Sequence, residues 1–236
     1  MNGPYQLLVF DWDGTLMDSE ARIVACMEAA FADLGLPALG AEAVRNVIGL
    51  GLREAMDRLY PGGDEALQQR LVERYRHHYL VADTTPSALF PGAREVVERL
   101  AEAGYFLAVA TGKGRGGLDR VLQETGLGPC FHVTRCADET RSKPHPQMLL
   151  EIMRITGVDP RDTLMIGDSE YDMEMAVNAG AASLAVSYGV HSCDRLRRHA
   201  PLHCLDSIGE LPSWLEGAGV KHSTGPSERT EDRRHG

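Results

Sequence analysis

Long hydrophobic runs are missing from this chain: nowhere do about 20 apolar residues follow one another, the length a helix needs to cross a bilayer. The opening Met1-Asn2-Gly3-Pro4 has neither the basic segment nor the apolar run of a secretory signal. An excess of positive charge is missing too. With 24 Lys and Arg against 34 Asp and Glu, the formal net charge is -10, which excludes the basic surface that nucleic acids and anionic membranes reward. Lysine is confined to Lys113, Lys143 and Lys221. The five cysteines, Cys26, Cys130, Cys136, Cys193 and Cys204, are odd in number and show neither CxxC nor CxH spacing, so they are expected as reduced thiols with no structural zinc. These absences describe a soluble cytoplasmic protein without nucleic-acid or membrane partners, expected as a monomer or weak homodimer.

What is present begins at Leu7-Leu8-Val9-Phe10-Asp11-Trp12-Asp13-Gly14-Thr15. Four apolar residues bounded by a glycine turn read as a buried strand of a parallel sheet, with the acidic pair at its carboxyl end, where open α/β sheets bind ligands. Alternation along a strand lets Asp11 and Asp13 share one side while Trp12 packs on the other. Two crowded carboxylates repel unless a cation or a shared proton settles the charge. The pair therefore calls for a metal, an acid/base partnership, or both.

The 236 residues suffice for one core, or for a core with a smaller insert. From about Met17 to Thr85 the periodicity is helical: Ile23, Met27, Ala30, Phe31 and Leu34 share one face, and Leu67, Leu71, Tyr75 and Tyr79 recur every fourth residue. A break at Gly49-Leu50-Gly51 divides this stretch, and Pro86 and Pro91 close it. Beyond it, strands alternate with helices. Strands are expected at Phe106 to Ala110, His132 to Cys136, Thr163 to Ile166 and Ser183 to Tyr188. Helices are expected at Ala93 to Ala103, Gly117 to Thr125, Pro144 to Ile155 and Met173 to Ala179. That alternation implies right-handed βαβ units. The expected architecture is an α/β, doubly wound parallel sheet (a Rossmann-like core, residues 1–16 and 86–218) with an inserted helical cap domain over residues 17–85. A polar tail, expected to be disordered, follows over 219–236.

Polar residues recur at the ends of the apolar strands: Asp11 and Asp13, then Thr111, then Asp168 with Asp172 close behind. All these ends lie on one edge of a parallel sheet, so distant residues would meet in one crevice. Carboxylates from two strand ends offer hard oxygen ligands that suit magnesium, where zinc would ask for His or Cys. Thr111 and Gly112 supply a hydroxyl and free amides near a helix start, which hold anions. Lys143, before Pro144, supplies a compact positive charge. Singly, each residue fits an ordinary cap or turn; a cap has no reason to recur on one sheet edge.

This arrangement resembles the haloacid dehalogenase superfamily of phosphohydrolases, whose four signatures are matched by Asp11-Trp12-Asp13-Gly14-Thr15, Thr111, Lys143, and Gly167-Asp168-Ser169 with Asp172. The resemblance spans about Leu7 to Gly189. A helical insert directly after the first signature looks like the type 1 cap of the branch that includes phosphoglycolate phosphatases and β-phosphoglucomutases. It implies that Asp11 is a nucleophile that becomes an aspartyl phosphate, and that Asp13 is the acid/base. It also implies a magnesium ion on Asp11, Asp13 (through its carbonyl), Asp168 and Asp172. Gly14, Thr111 and Gly112 would hold the phosphoryl oxygens, and Lys143 would screen the charge between nucleophile and substrate.

Departures from sister patterns narrow the activity. Asp13 argues against dehalogenation, and the insert holds no lysine for a phosphonatase Schiff base. Ile23 stands where β-phosphoglucomutases carry a cap histidine. The expected activity is hydrolysis of a small phosphate monoester, phosphoglycolate-like or sugar-phosphate-like. A sugar phosphomutase, or a silent binding module on the same fold, is the alternative. Arg53, just past the glycine break, is expected to reach an acidic group of the substrate. Lys113 fits either the phosphate pocket or a solvated loop, and His77 and His78 read as exposed helix residues.

Overall fold

All four residues of β1 (Leu7–Phe10) are inaccessible to solvent, as expected for a strand covered on both faces. The structure is a computed structural model that describes residues 4–222, with side chains to residue 217. The remaining strands are β2 (Met17–Asp18), β3 (Ala88–Leu89), β4 (Phe106–Thr111), β5 (Val133–Cys136), β6 (Thr163–Gly167), β7 (Ala182–Val186) and β8 (Cys204–Leu205). Six of them form one sheet in the order β5-β4-β1-β6-β7-β8, with neighbours parallel. The chain runs outward from β1 through β4 to β5, then returns to the other side of β1 and runs outward through β6. This reversal opens a crevice at the carboxyl ends beside β1.

Alternation along the strands divides the core into two layers. Leu8, Phe10, Leu107, Val109, Leu164 and Ile166 face one side. They meet α5 (Ala93–Glu102), α6 (Arg115–Thr125) and α10 (Leu211–His222). Leu7, Val9, Ala108, Ala110 and Met165 face the other, against α7 (Gln147–Thr156) and α8 (Glu170–Ala179). Trp12 continues the first layer, fully buried and edge-on to Phe131 with centroids 6.3 Å apart. Asp11 and Asp13 are thereby left on the opposite side from Trp12.

Between β2 and β3 the chain forms α1 (Glu20–Asp33), α2 (Ala41–Arg45), α3 (Leu52–Leu59) and α4 (Glu65–His77). Their apolar faces close over a small core of Ile23, Cys26, Met27, Phe31, Met56 and Leu71. Asp64 caps α4 by accepting the Leu67 N–H at 2.8 Å, a standard start signal. A π-helical turn over His78–Ala82 ends α4 and stacks Tyr79 on Tyr75, centroids 5.8 Å apart. The antiparallel pair β2 and β3 ties the two ends of this helical insert together.

Several expectations are corrected. α7 begins at Gln147, not Pro144, because residues 144–146 form the turn that delivers Lys143. α8 begins earlier, at Glu170, since Ser169 and Asp172 form a reciprocal capping box. β2, β3 and β8 are two residues each, too short for any periodic signal. α10 runs to His222, past the expected tail start at Gly219, and the rest of that tail lies outside the described residues. Cys193, which opens α9 (Cys193–Leu196), is disulfide-bonded to Cys204 on β8, Cα atoms 6.5 Å apart. Five reduced thiols were expected; edge strand and helix start meet on the shared cluster of Met173, Ala185 and Leu196, a proximity that spacing alone cannot reveal. Cys26, Cys130 and Cys136 are free. No helix among the described residues is long and apolar enough to cross a membrane.

Leu8, fully buried in the central strand, has no route for its neighbours to collapse into. Leu8→Ala is expected to cost about 2–5 kcal/mol, read as a lowered urea midpoint with unchanged m; a loss below about 1 kcal/mol would contradict the two-layer core.

Candidate active site

Asp11 lies just past β1, Asp168 just past β6, and Asp172 on the first turn of α8. The parallel register that pairs Phe10 with Ile166 brings these chain positions side by side. One carboxylate oxygen from each falls within 4.8 Å of the others, and all three residues are buried. Lys143 Nζ enters from the loop before α7, 2.9 Å from Asp11 Oδ1 and 2.5 Å from Asp172 Oδ1. Three ionised carboxylates against one ammonium would leave two negative charges uncompensated in a water-poor site, a cost that a cation or a bound proton relieves.

Each oxygen's partners define its freedom. Asp11 Oδ1 also accepts the Trp12 N–H at 2.7 Å, whereas Asp11 Oδ2 is buried with no hydrogen-bond partner. Asp168 accepts from the Thr15 hydroxyl at 3.0 Å and from Val190 N–H at 2.8 Å. Asp172 Oδ2 accepts from the Ser169 hydroxyl at 2.6 Å and its N–H at 3.1 Å. Burial pushes the Asp11 carboxyl well above the usual carboxylate range; Lys143 pulls it down, and Asp172 and Asp168 push it further up. Burial, and next Asp172, raise Asp168 to about 7. Burial opposes the Lys143 charge, yet the Asp11 and Asp172 carboxylates outweigh it and hold the ammonium above its ordinary pKa.

Gly14 has φ of +79°, and a Cβ there would lie 2.1 Å from Asp168 Oδ2. Only glycine combines that backbone conformation with so close an approach. Asp13 Oδ1 accepts from the Ser19 hydroxyl at 2.5 Å and pairs with Lys113 Nζ at 2.8 Å. Lys113 also donates to the Tyr79 hydroxyl at 2.6 Å. Burial works against its charge, but Asp13 and Tyr79 hold its pKa up. Of the two expectations for Lys113, the solvated loop is excluded, since the residue is 9% exposed. Sequence reasoning missed its partner Tyr79, whose fourfold spacing with Tyr75 read only as helix core.

Thr111 ends β4 fully buried, its Oγ1 accepting the Lys113 N–H at 3.2 Å. Gly112 meets the insert directly: a Cβ there would lie 2.4 Å from the Leu50 carbonyl oxygen. Gly51 N–H donates to Ser142 Oγ at 2.6 Å. The Gly49-Leu50-Gly51 break therefore seats on the core between Thr111-Gly112 and the loop that carries Lys143. A cavity of about 670 Å³ lies above, lined by Asp11, Asp13, Gly112 and Lys113 from the core and by Ile23, Gln68, Tyr75 and Tyr79 among others from the insert. Arg53 lines it too, with its exposed guanidinium paired to Glu65. His77 is exposed, as expected, whereas His78 is half-buried and bonded to Asp33 at 2.9 Å.

Paired carboxylates and a buried ammonium at the switch point of a doubly wound sheet, beneath an inserted helical layer, define a hydrolase site on a Rossmann-like core. Residues 8–186 match the family of haloacid dehalogenase-like hydrolases, and the chain belongs to that family. It is 35% identical over 210 residues to a probable phosphatase, IndB, of Dickeya dadantii, covering 87% of this chain and 91% of that protein. It is 31% identical to a phosphoglycolate phosphatase of Pseudomonas syringae pv. tomato, covering 89% of this chain and 80% of that protein. A crystal structure of a predicted phosphoglycolate phosphatase from Haemophilus somnus shares the fold, with a TM-score of 0.81, 24% identity, and 89% and 98% of the two chains covered. So does that of a predicted phosphatase from Clostridium acetobutylicum, with a TM-score of 0.82, 23% identity, and coverage of 90% and 99%.

The raised Asp168 carboxyl has a signed consequence for metal-stripped protein. Between the ordinary 3.8 and about 7, the folded state holds a proton that the unfolded state has lost, so stability falls as pH rises through that window. Thermal melts in EDTA are expected to show a lower Tm at about pH 8 than at about pH 5.5, with a shallower slope in Asp168→Asn. Equal slopes in the two proteins would contradict this assignment.

Proposed function

We propose that the protein is a magnesium-dependent phosphatase that hydrolyses a small phosphate monoester through an aspartyl-phosphate intermediate. The observation that carries this reading is the asymmetry of Asp11: Oδ1 is held by Lys143 and the Trp12 amide, while Oδ2 is buried without a partner. An oriented carboxylate with one unclaimed oxygen suits both cation binding and attack on phosphorus. The donor set fits magnesium, being all oxygen and built of carboxylates that outnumber the one ammonium among them. Asp11, Asp168 and the Asp13 carbonyl would hold the ion, with Asp172 bound to it directly or through water. When bound, the ion supplies charge neutralisation for the phosphoryl group and its leaving oxygen.

The chain's own groups do the rest. Asp11 attacks phosphorus in line as the ester P–O bond breaks, and Asp13 donates a proton to the departing alkoxide oxygen. A water molecule then attacks the aspartyl phosphate while Asp13 takes its proton, regenerating Asp11 and releasing inorganic phosphate. Thr111 Oγ1 and the Gly112 amide hold the phosphoryl oxygens, whereas the Gly14 amide, expected from the sequence to join them, already donates to the Met17 carbonyl at 2.9 Å. Lys143 favours the ionised form of Asp11 against its burial and screens it from the incoming dianion. Lys113 and Ser19 fix the Asp13 carboxylate, so the insert, through Tyr79 and Ser19, takes part in placing the acid/base.

Asp11→Asn is expected to lower phosphate release from a generic aryl phosphate by about a thousandfold or more while leaving the fold intact by circular dichroism. EDTA is expected to abolish wild-type turnover and magnesium to restore it. Turnover that survives either treatment would overturn the reading.

A further inference from the structure

The cavity's chemistry is uneven. Its core-side floor carries Asp11, Asp13 and Lys113, whereas the insert contributes Ile23, Met27, Val47, Ile48, Val72 and Tyr75, an apolar wall ending in the stacked pair Tyr75 and Tyr79. Every cation that lines the cavity already has an acidic partner. Lys113 pairs with Asp13 at 2.8 Å, Arg76 with Asp138 at 3.9 Å, and Arg53 with Glu65. Glu54, also on the lining, forms no ion pair among the described residues. Beyond the phosphate corner, then, the cavity offers no unclaimed positive charge, and an anionic leaving group would lose water without gaining a partner. At about 670 Å³ the space is also on the scale of pockets that enclose ligands with ring-sized bodies.

One polar atom on this wall lacks a partner. Gln68 lines the cavity and is 3% exposed. Its Nε2 donates to the Tyr60 carbonyl at 3.2 Å, which fixes which end of the amide is nitrogen, and its Oε1 is buried with no donor. That oxygen is closed off even to water, so it offers a ligand no acceptor, and the wall meets whatever enters the cavity through its apolar groups.

We propose that the leaving alcohol of this phosphatase is a neutral, ring-bearing group that packs on the insert's apolar wall, and that the enzyme discriminates against small anionic esters such as phosphoglycolate. This rests on the phosphatase reading and narrows its substrate class. Arg53, expected from the sequence to receive an acidic group, is instead paired with Glu65 at the surface.

The test compares two esters whose leaving groups are aliphatic alcohols, 2-phosphoglycolate and 2-phenylethyl phosphate, each assayed with magnesium by phosphate release. The expected kcat/KM for 2-phenylethyl phosphate exceeds that for 2-phosphoglycolate by about tenfold or more, the worth of burying a few methylene groups. Equal kcat/KM for the two esters, or a preference for 2-phosphoglycolate, would overturn the proposal while leaving the phosphatase reading standing. No phosphate released from any ester would overturn both.

Discussion

Lys143 between Asp11 and Asp172 is the contact on which the rest of the site depends. A fully buried ammonium bridges two buried carboxylates, with Asp168 packed alongside. Removing any one member would leave a charge in low dielectric without its partner, the costly half of a buried ion pair. The fold supplies what such an arrangement needs. Hydrogen bonds from Thr15, Val190, Ser169 and the Trp12 amide occupy the remaining oxygens, and strands β1 and β6, paired in register, bear the load. The one oxygen left out, Asp11 Oδ2, is the group the proposed chemistry uses.

The helical insert is joined to this centre at two places that differ in kind. At one, backbone meets backbone: Gly112 admits the Leu50 carbonyl, and Ser142 receives the Gly51 amide. At the other, side chains carry the connection, since Lys113 holds both Asp13 on the core and Tyr79 on the insert. Any displacement of the insert would therefore change the surroundings of Asp13 before those of Asp11, which is buried beneath it. In the proposed chemistry, proton transfer by Asp13 thus depends on the insert, whereas Asp11 is held by the core alone.

Much of this was legible in the sequence because strand ends in a parallel sheet converge by topology. Asp11, Asp13, Thr111 and Asp168 each close an apolar run, so their meeting needs only the order of strands. Local signals also sufficed for the insert's helices, whose apolar faces recur with the helical period. What stayed hidden depends on contacts between distant segments with no periodic trace. Lys113 reads as a loop lysine until Tyr79 and Asp13 are seen around it. Gln68 looks like any polar residue on a helix, and its unmet acceptor exists only because Tyr60 takes the other end of the amide. The Cys193–Cys204 disulfide belongs to the same class, created by an edge strand too short to be read.

The account's central claim is that the carboxylate cluster carries a charge deficit which a divalent cation fills. Calorimetric titration of metal-stripped protein with magnesium tests it without reference to turnover. One ion per chain is expected to bind wild-type protein, with binding lost in Asp168→Asn and a fold retained by circular dichroism. Absence of binding to the wild type, or binding of equal affinity in Asp168→Asn, would contradict it.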